Sequence, residues 1–280
     1  MATTRSALQQ TVVSRSGTLQ HRAMGARLLT ILFTLVLLHT LAGAQTTAGD
    51  ASTVELRQLI DIPTAGMLGR GAFAMDAFFF QNGGLGFALS AGALDRLSFG
   101  ISYSGTGIIG NSSVTMQKLP GVNIKIRLFE ESLAIPAIAI GFDSQGKEAY
   151  IDSTERFTIK SRGVYAVASK NYSMFGNFSV HGGVNFSMER NDGDKDMDVF
   201  VGAEKSFGRD ISFLGEYDFG FNDNNNRAIG RGKGYFNLGV RWSFGNGFTL
   251  GFDLKNIFKN QDNIVTIGNR TMKVEYVRSF

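Results

Sequence analysis

"KGYFNLGVRWSFGNGFTLGFDLKNIF", residues 233–258, alternates almost without interruption. Phe236, Leu238, Val240, Trp242 and Phe244 form one row, and Tyr235, Asn237, Gly239, Arg241 and Ser243 form the other. Past a two-residue glycine-asparagine turn, Phe248, Leu250, Phe252 and Leu254 stand against Thr249, Gly251, Asp253 and Lys255. Side chains on a strand point alternately to its two faces, so a period of two predicts two strands joined by a tight turn. The rows differ in kind: one is purely apolar, the other carries charge.

The same pattern recurs along the chain. Candidate strands fall at 71–80, 84–92, 96–105, 121–129, 135–143 and 162–172, then at 174–188, 195–207, 210–221, 233–244, 247–258 and 270–280. Most are near the length of about 9–11 residues that a tilted strand needs to cross a bilayer. Connections after the even-numbered segments are tiny ("ALD", "EESLA", "S", "GR", "GN"). Those after the third, fifth, seventh, ninth and eleventh are longer and polar; only "QNG", after the first, is short on that side. Short turns at one end and long loops at the other predict an all-β fold, a transmembrane antiparallel β-barrel of about 12 strands spanning 71–280. The apolar rows then face lipid, where a charge at mid-depth costs roughly 2–4 kcal/mol, and the charged rows face the lumen. Aromatics near strand ends (Phe129, Phe142, Tyr172, Phe175, Phe207, Phe244, Phe248) suit the two interfaces. A soluble barrel would instead need an apolar interior.

Composition agrees. The chain holds 35 Gly and 24 Phe but 3 Pro and no Cys, which excludes disulfides and thiolate metal sites. Residues 1–44 contain Arg5, Arg15, Arg22 and Arg27 and no acidic residue. Without those four, 24 basic residues balance 24 acidic ones, so no nucleic-acid partner is expected. "RLLTILFTLVLLHTLAGAQ" (27–45) has a basic flank, a short apolar run and a small-x-small ending at Ala42-Gly43-Ala44. It is expected to be a signal peptide, 1–44, cut before Gln45, with Met24 as a candidate true start. Residues 45–70 are expected to be a periplasmic lead-in or an extra strand; a lumen plug is a third placement.

Inward-facing polar candidates are Lys125, Arg127, His181, Asn185, Glu204, Glu216, Asp218, Arg241, Asp253, Lys255, Lys273 and Glu275. Their charges balance in sign, which predicts ion pairs across a packed interior rather than a wide pore. His181 is the only histidine after residue 44, and alternation turns it inward. A barrel phospholipase would need Ser and His facing lipid, so no catalytic set is expected, nor any metal centre or cofactor. "GTGIIG" (105–110) has nucleotide-loop spacing but no helix after it, and reads as a surface loop. "DGDKDMD" (192–198) lacks the glycine and glutamate of a calcium loop and reads as a solvated acidic loop.

The chain ends in "VEYVRSF" (274–280). Termini fray unless tied down, so a final aromatic strand is expected to pair with the first. Tyr276 and Phe280 also resemble the C-terminal signal that barrel-assembly machinery reads.

"LAIPAIAIGFDSQG" (133–146), followed by "GVYAVASKNY" (163–172), resembles the YjbH-like outer-membrane proteins. The matching positions are Pro136, Ala139, Gly141, Asp143, Gly146, Tyr165, Val167, Ser169 and Lys170. The resemblance implies a non-enzymatic outer-membrane barrel linked to exopolysaccharide production or export. Its expected partners are outer-membrane lipid, the barrel-assembly machinery, and polysaccharide or export proteins. The alternative is a small porin or solute channel.

Overall fold

A computed structural model describes residues 55–173, 175–225, 227–261 and 269–280. The expected signal peptide over residues 1–44, the candidate start at Met24 and residues 45–54 lie outside the described residues. Twelve antiparallel strands form the fold: β1 (Ala72–Phe80), β2 (Gly84–Leu94), β3 (Leu97–Thr106), β4 (Gly121–Phe129), β5 (Ala137–Asp143) and β6 (Gly163–Ser173), followed by β7 (Asn177–Phe186), β8 (Asp198–Phe207), β9 (Ile211–Asp218), β10 (Tyr235–Gly245), β11 (Phe248–Lys255) and β12 (Asn269–Ser279). Each pairs with its successor, and β12 pairs with β1 from Ala72↔Ser279 to Phe79↔Met272. The sheet therefore closes into a barrel and leaves no unpaired edge, the condition for a sheet to exist in hydrocarbon.

Closure ties down the last residue. The Phe280 N–H donates to the Gly71 carbonyl at 3.2 Å. Its ring stacks on Phe73 at 5.3 Å, and Tyr276 packs against Phe73 and Phe248 at 6.1 and 4.5 Å. The terminal aromatics thus stitch the first strand to the last on the outer face.

That outer face is apolar. Phe87, Ile101, Phe213, Trp242 and Phe252 all stand outward and exposed. A soluble monomer does not carry so broad an apolar belt, whereas lipid requires one. Among the described residues no helix is long and apolar enough to cross a membrane, so crossing falls to the strands.

Turns at one barrel end are short, as at Gly245-Asn246-Gly247 between β10 and β11. The β5–β6 connection at the other end is long enough to hold its own hairpin, Lys147–Ile151 paired with Arg156–Ile159. Long loops face the exterior in such barrels. Cysteine at Asn225, in the β9–β10 loop, is therefore expected to react with an impermeant maleimide on whole cells. Cysteine at Arg209, in the β8–β9 turn, should react only after lysis. The reverse pattern would invert the orientation.

The interior departs from the expected all-polar lining. Tyr165, Val167, Phe200 and Leu214 point inward and, with Ala137 and Ala139, form a buried apolar patch. It exists because residues 55–68 lie inside the barrel. Leu59, Ile60, Ile62 and Ala65 pack against that patch, and Leu68 joins Ala72, Ala74 and Val277. Ile62 and Ala65 are fully buried. At Gly202 of β8 a Cβ would come within 2.4 Å of the Leu59 side chain, so the glycine leaves the space into which Leu59 packs. Of the three placements open for this stretch, residues 55–68 take the lumen plug, while Gly69 and Arg70 are exposed. An added strand would have needed an edge, and the closed barrel offers none.

Candidate functional site

The plug has almost no secondary structure, apart from an isolated bridge between Gln58 and Pro63. Its backbone amides and carbonyls must find partners away from water, because an unpaired buried group is costly. The barrel wall supplies them. Glu216 accepts from the N–H groups of Ile60, Asp61 and Ile62 at 2.9–3.1 Å, and Asn237 donates to the same carboxylate at 2.8 Å. Lys125 donates to the carbonyls of Arg57, Thr64 and Gly66 at 2.9, 3.0 and 3.1 Å. Arg127 donates to the Ala65 carbonyl at 3.1 Å and pairs with Glu55. Arg241 donates to the Leu59 carbonyl at 2.6 Å while pairing with Asp253 at 2.5 Å. Ser169 accepts from the Ala65 N–H at 2.8 Å, which leaves its hydroxyl hydrogen free for His181 Nδ1, also at 2.8 Å.

Side chains of the plug pair with the wall as well. Arg57 meets Asp76 and Glu275, both at 3.0 Å, and Lys273 bridges the same two carboxylates at 3.2 and 2.9 Å. Asp61 takes Lys255 at 2.7 Å, and Lys255 also lies 3.4 Å from Glu148 of the outer hairpin. Asp218 pairs with Arg162, which also contacts Asn185 at 3.4 Å. Glu204 is buried on the inner face, and its Oε2 has no partner among the described residues.

All twelve inward candidates thus lie on the lumen side, but they are not chiefly paired with one another as expected. The reason is geometric. The plug fills the space between facing walls, so Glu216, Lys125 and Arg241 meet its backbone before they could meet opposite charges. Sequence reasoning missed Arg57, Asp61, Asp76, Arg156 and Arg162. Asp76 carries a readable signal, since it occupies the inward parity of an otherwise apolar β1.

A second polar cluster closes the long-loop end. Arg156, fully buried, pairs with Asp192 at 2.6 Å and Asp223 at 2.7 Å and donates to its own hairpin's carbonyls. Lys160 holds Asp192 at 2.8 Å. Asp194 accepts from the N–H groups of Asn224 and Asn225 at 3.0 and 3.2 Å. Tyr235 donates to Asp223 at 2.5 Å, and Gln261 reaches Thr158 and Tyr235. The run at 192–198 is therefore only partly solvated, with Gly193, Lys195, Asp196 and Met197 exposed. Asp192, Asp194 and Asp198 are buried: Arg156 and Lys160 neutralise Asp192, Arg162 lies 3.8 Å from Asp198, and backbone N–H groups hold Asp194. "GTGIIG" does lie at the surface, with Ile109 exposed. Among the described residues no group of His, Cys, Asp and Glu is arranged to hold a metal ion.

These features define the class: an outer-membrane-type β-barrel of twelve strands, stoppered by its own N-terminal segment and laced shut at the loop end. The chain belongs to the YjbH family, whose model, described as "Exopolysaccharide biosynthesis protein YbjH", matches residues 56–256. No curated protein matches the sequence. Among solved structures it is similar to the KdgM porin, with 11% identity, 75% of this chain and 99% of that chain covered, and a TM-score of 0.47. It is also similar to the NanC porin (8%, 74% and 99%, 0.42). For the COG4313 outer membrane channel from Pseudomonas putida F1 the values are 13%, 76% and 97%, and 0.38.

Proposed function

We propose that this protein is a closed outer-membrane barrel that supports the production or export of an exopolysaccharide and catalyses no reaction itself. The observation that carries the reading is the use of the lumen's polar side chains. Glu216, Lys125, Arg127 and Arg241 hold the plug in place. The buried Ser169–His181 pair also serves the plug, through the Ala65 N–H, and neither residue lies on the outer, lipid-facing side. The family description supports the link to exopolysaccharide. A leader over residues 1–44 would bring the chain across the inner membrane, and Tyr276 and Phe280 would present it to the barrel-assembly machinery.

The test is genetic. Deleting the gene in its native host is expected to lower secreted polysaccharide severalfold, and the full-length gene in trans should restore it. Unchanged polysaccharide in the deletion strain would refute the reading. The alternative, a solute channel, draws on the space that remains beside the plug, and conductance decides it.

A further inference from the structure

The plug does not fill the lumen. A cavity of about 150 Å³ remains, bounded by the plug, the inner faces of β1–β4, β11 and β12, and the start of the outer hairpin. Part of its wall is aromatic. The inward row of β1 ends in Phe78 and Phe80, which pair across to Gly86 and Gly84 of β2. A Cβ at Gly86 would lie 2.2 Å from the Phe78 ring, and one at Gly84 2.2 Å from the Phe80 ring. Both rings therefore lie flat against the wall in the space that those glycines vacate. Their planes are inclined by only 24° with centroids 6.3 Å apart. Each ring turns one face to the wall and the other to the cavity. On a lipid-facing row these phenyl groups would need no explanation, but among the polar groups that line this cavity they form an apolar platform.

The remaining lining is polar in an uneven way. The cavity's other cations are engaged: Arg57, Arg162, Lys255 and Lys273 by carboxylates, and Lys125 by three carbonyls. The Lys147 backbone pairs with Ile159 in the outer hairpin, but its ammonium makes no ion pair or hydrogen bond among the described residues. Asp143 acts on it electrostatically without contact, and burial holds its ammonium below the usual lysine value. Asp143 accepts one hydrogen bond, from the Gln145 N–H at 2.9 Å, and has acceptor capacity left.

A flat apolar face, hydroxyl acceptors and one unpaired cation are together complementary to a sugar acid. The C–H face of a pyranose lies on aromatic rings, its hydroxyls donate to carboxylates, and its own carboxylate needs a cation. Size agrees. The cavity volume of about 150 Å³ is that of several waters at about 30 Å³ each, enough to admit a small polar ring. An acyl chain would leave the charges unpaired. We propose that this cavity binds one acidic sugar unit, with its ring against Phe78 and Phe80 and its carboxylate on Lys147. The proposal rests on the exopolysaccharide reading and specifies what the lumen recognises.

Calorimetry on the full mature protein in detergent, with glucuronic acid and glucose as probes, tests it. Glucuronic acid is expected to bind at least tenfold more tightly than glucose. Lys147→Gln should erase that preference, and Phe78→Leu should weaken both sugars severalfold. Circular dichroism and heat-modifiable gel migration check that the variants are folded. No binding to the wild type, or a preference that survives Lys147→Gln, overturns the proposal. The two ideas can fail separately. A wild-type protein that binds neither sugar, from a gene whose deletion lowers secretion, refutes the sugar site and leaves the reading standing. Sugar binding with normal secretion in the deletion strain refutes the reading alone.

Discussion

A chain lacking residues 55–70 is expected to conduct where the full-length barrel is silent. In planar bilayers the deletion should give steady ohmic current, on the order of tenfold or more above the full-length baseline. The expectation follows from strand number. About eight strands enclose a lumen that side chains alone can fill, whereas 16–18 leave an aqueous channel. Twelve lie between, and here the surplus space is taken by Leu59, Ile60, Ile62 and Ala65. Strand pairing and the lipid-facing belt do not involve the plug, so heat-modifiable migration should persist. Two point variants grade the effect. Ile62→Asp places a carboxylate in a fully buried apolar patch, a cost that expelling the plug relieves. Glu216→Ala leaves the N–H groups of Ile60, Asp61 and Ile62 without their acceptor, at about 1–3 kcal/mol for each group left unsatisfied. Both should show flickering openings rather than steady current. A deletion protein that is folded and still silent would mean that the loop-end cluster alone seals the barrel.

The barrel was legible because strand alternation reports on each residue locally. Asp253 and Phe252 disclose their faces without knowledge of any distant neighbour, and segregated loop lengths disclose the direction of each strand. The plug was not legible for the opposite reason. Its backbone groups are paired with side chains far along the chain, as when Lys125 reaches Thr64 or Glu216 reaches Asp61. Such pairing leaves no period. Glu55, Arg57 and Asp61, set among apolar residues, were the only hint. The inward apolar patch hid for a related reason. In β6 and β8 the inward rows mix apolar with polar residues, Val167 beside Ser169 and Phe200 between Asp198 and Gly202, so alternation gives their face but not what they pack against. Spacing in "DGDKDMD" exposed a cluster of carboxylates but not its counter-ions, which come from Arg156, Lys160 and Arg162 in another loop.

Arg156→Ala is expected to unlace the loop end while sparing the barrel. The guanidinium is fully buried and neutralises Asp192 and Asp223 from two separate loops, so its loss leaves carboxylates without their counter-charge. Breaking a buried pair by removing one partner costs about 3–5 kcal/mol. Lys160 still holds Asp192 at 2.8 Å, so Asp223 bears most of the loss, together with the Tyr235 hydroxyl that donates to it. Amide exchange in 187–197 and 219–225 should accelerate by between about two and four orders of magnitude, the same energy expressed as an opening equilibrium. Exchange in β1–β12 should stay slow, because their ladders do not depend on this contact. External proteinase K should nick the β9–β10 loop in the variant and leave the wild type whole. Arg156→Lys keeps the charge but lacks the fork that serves two carboxylates and two carbonyls at once, so it should fall between the two. If Arg156→Ala leaves loop exchange unchanged, the cluster does not hold the loops, and the plug alone keeps the barrel closed.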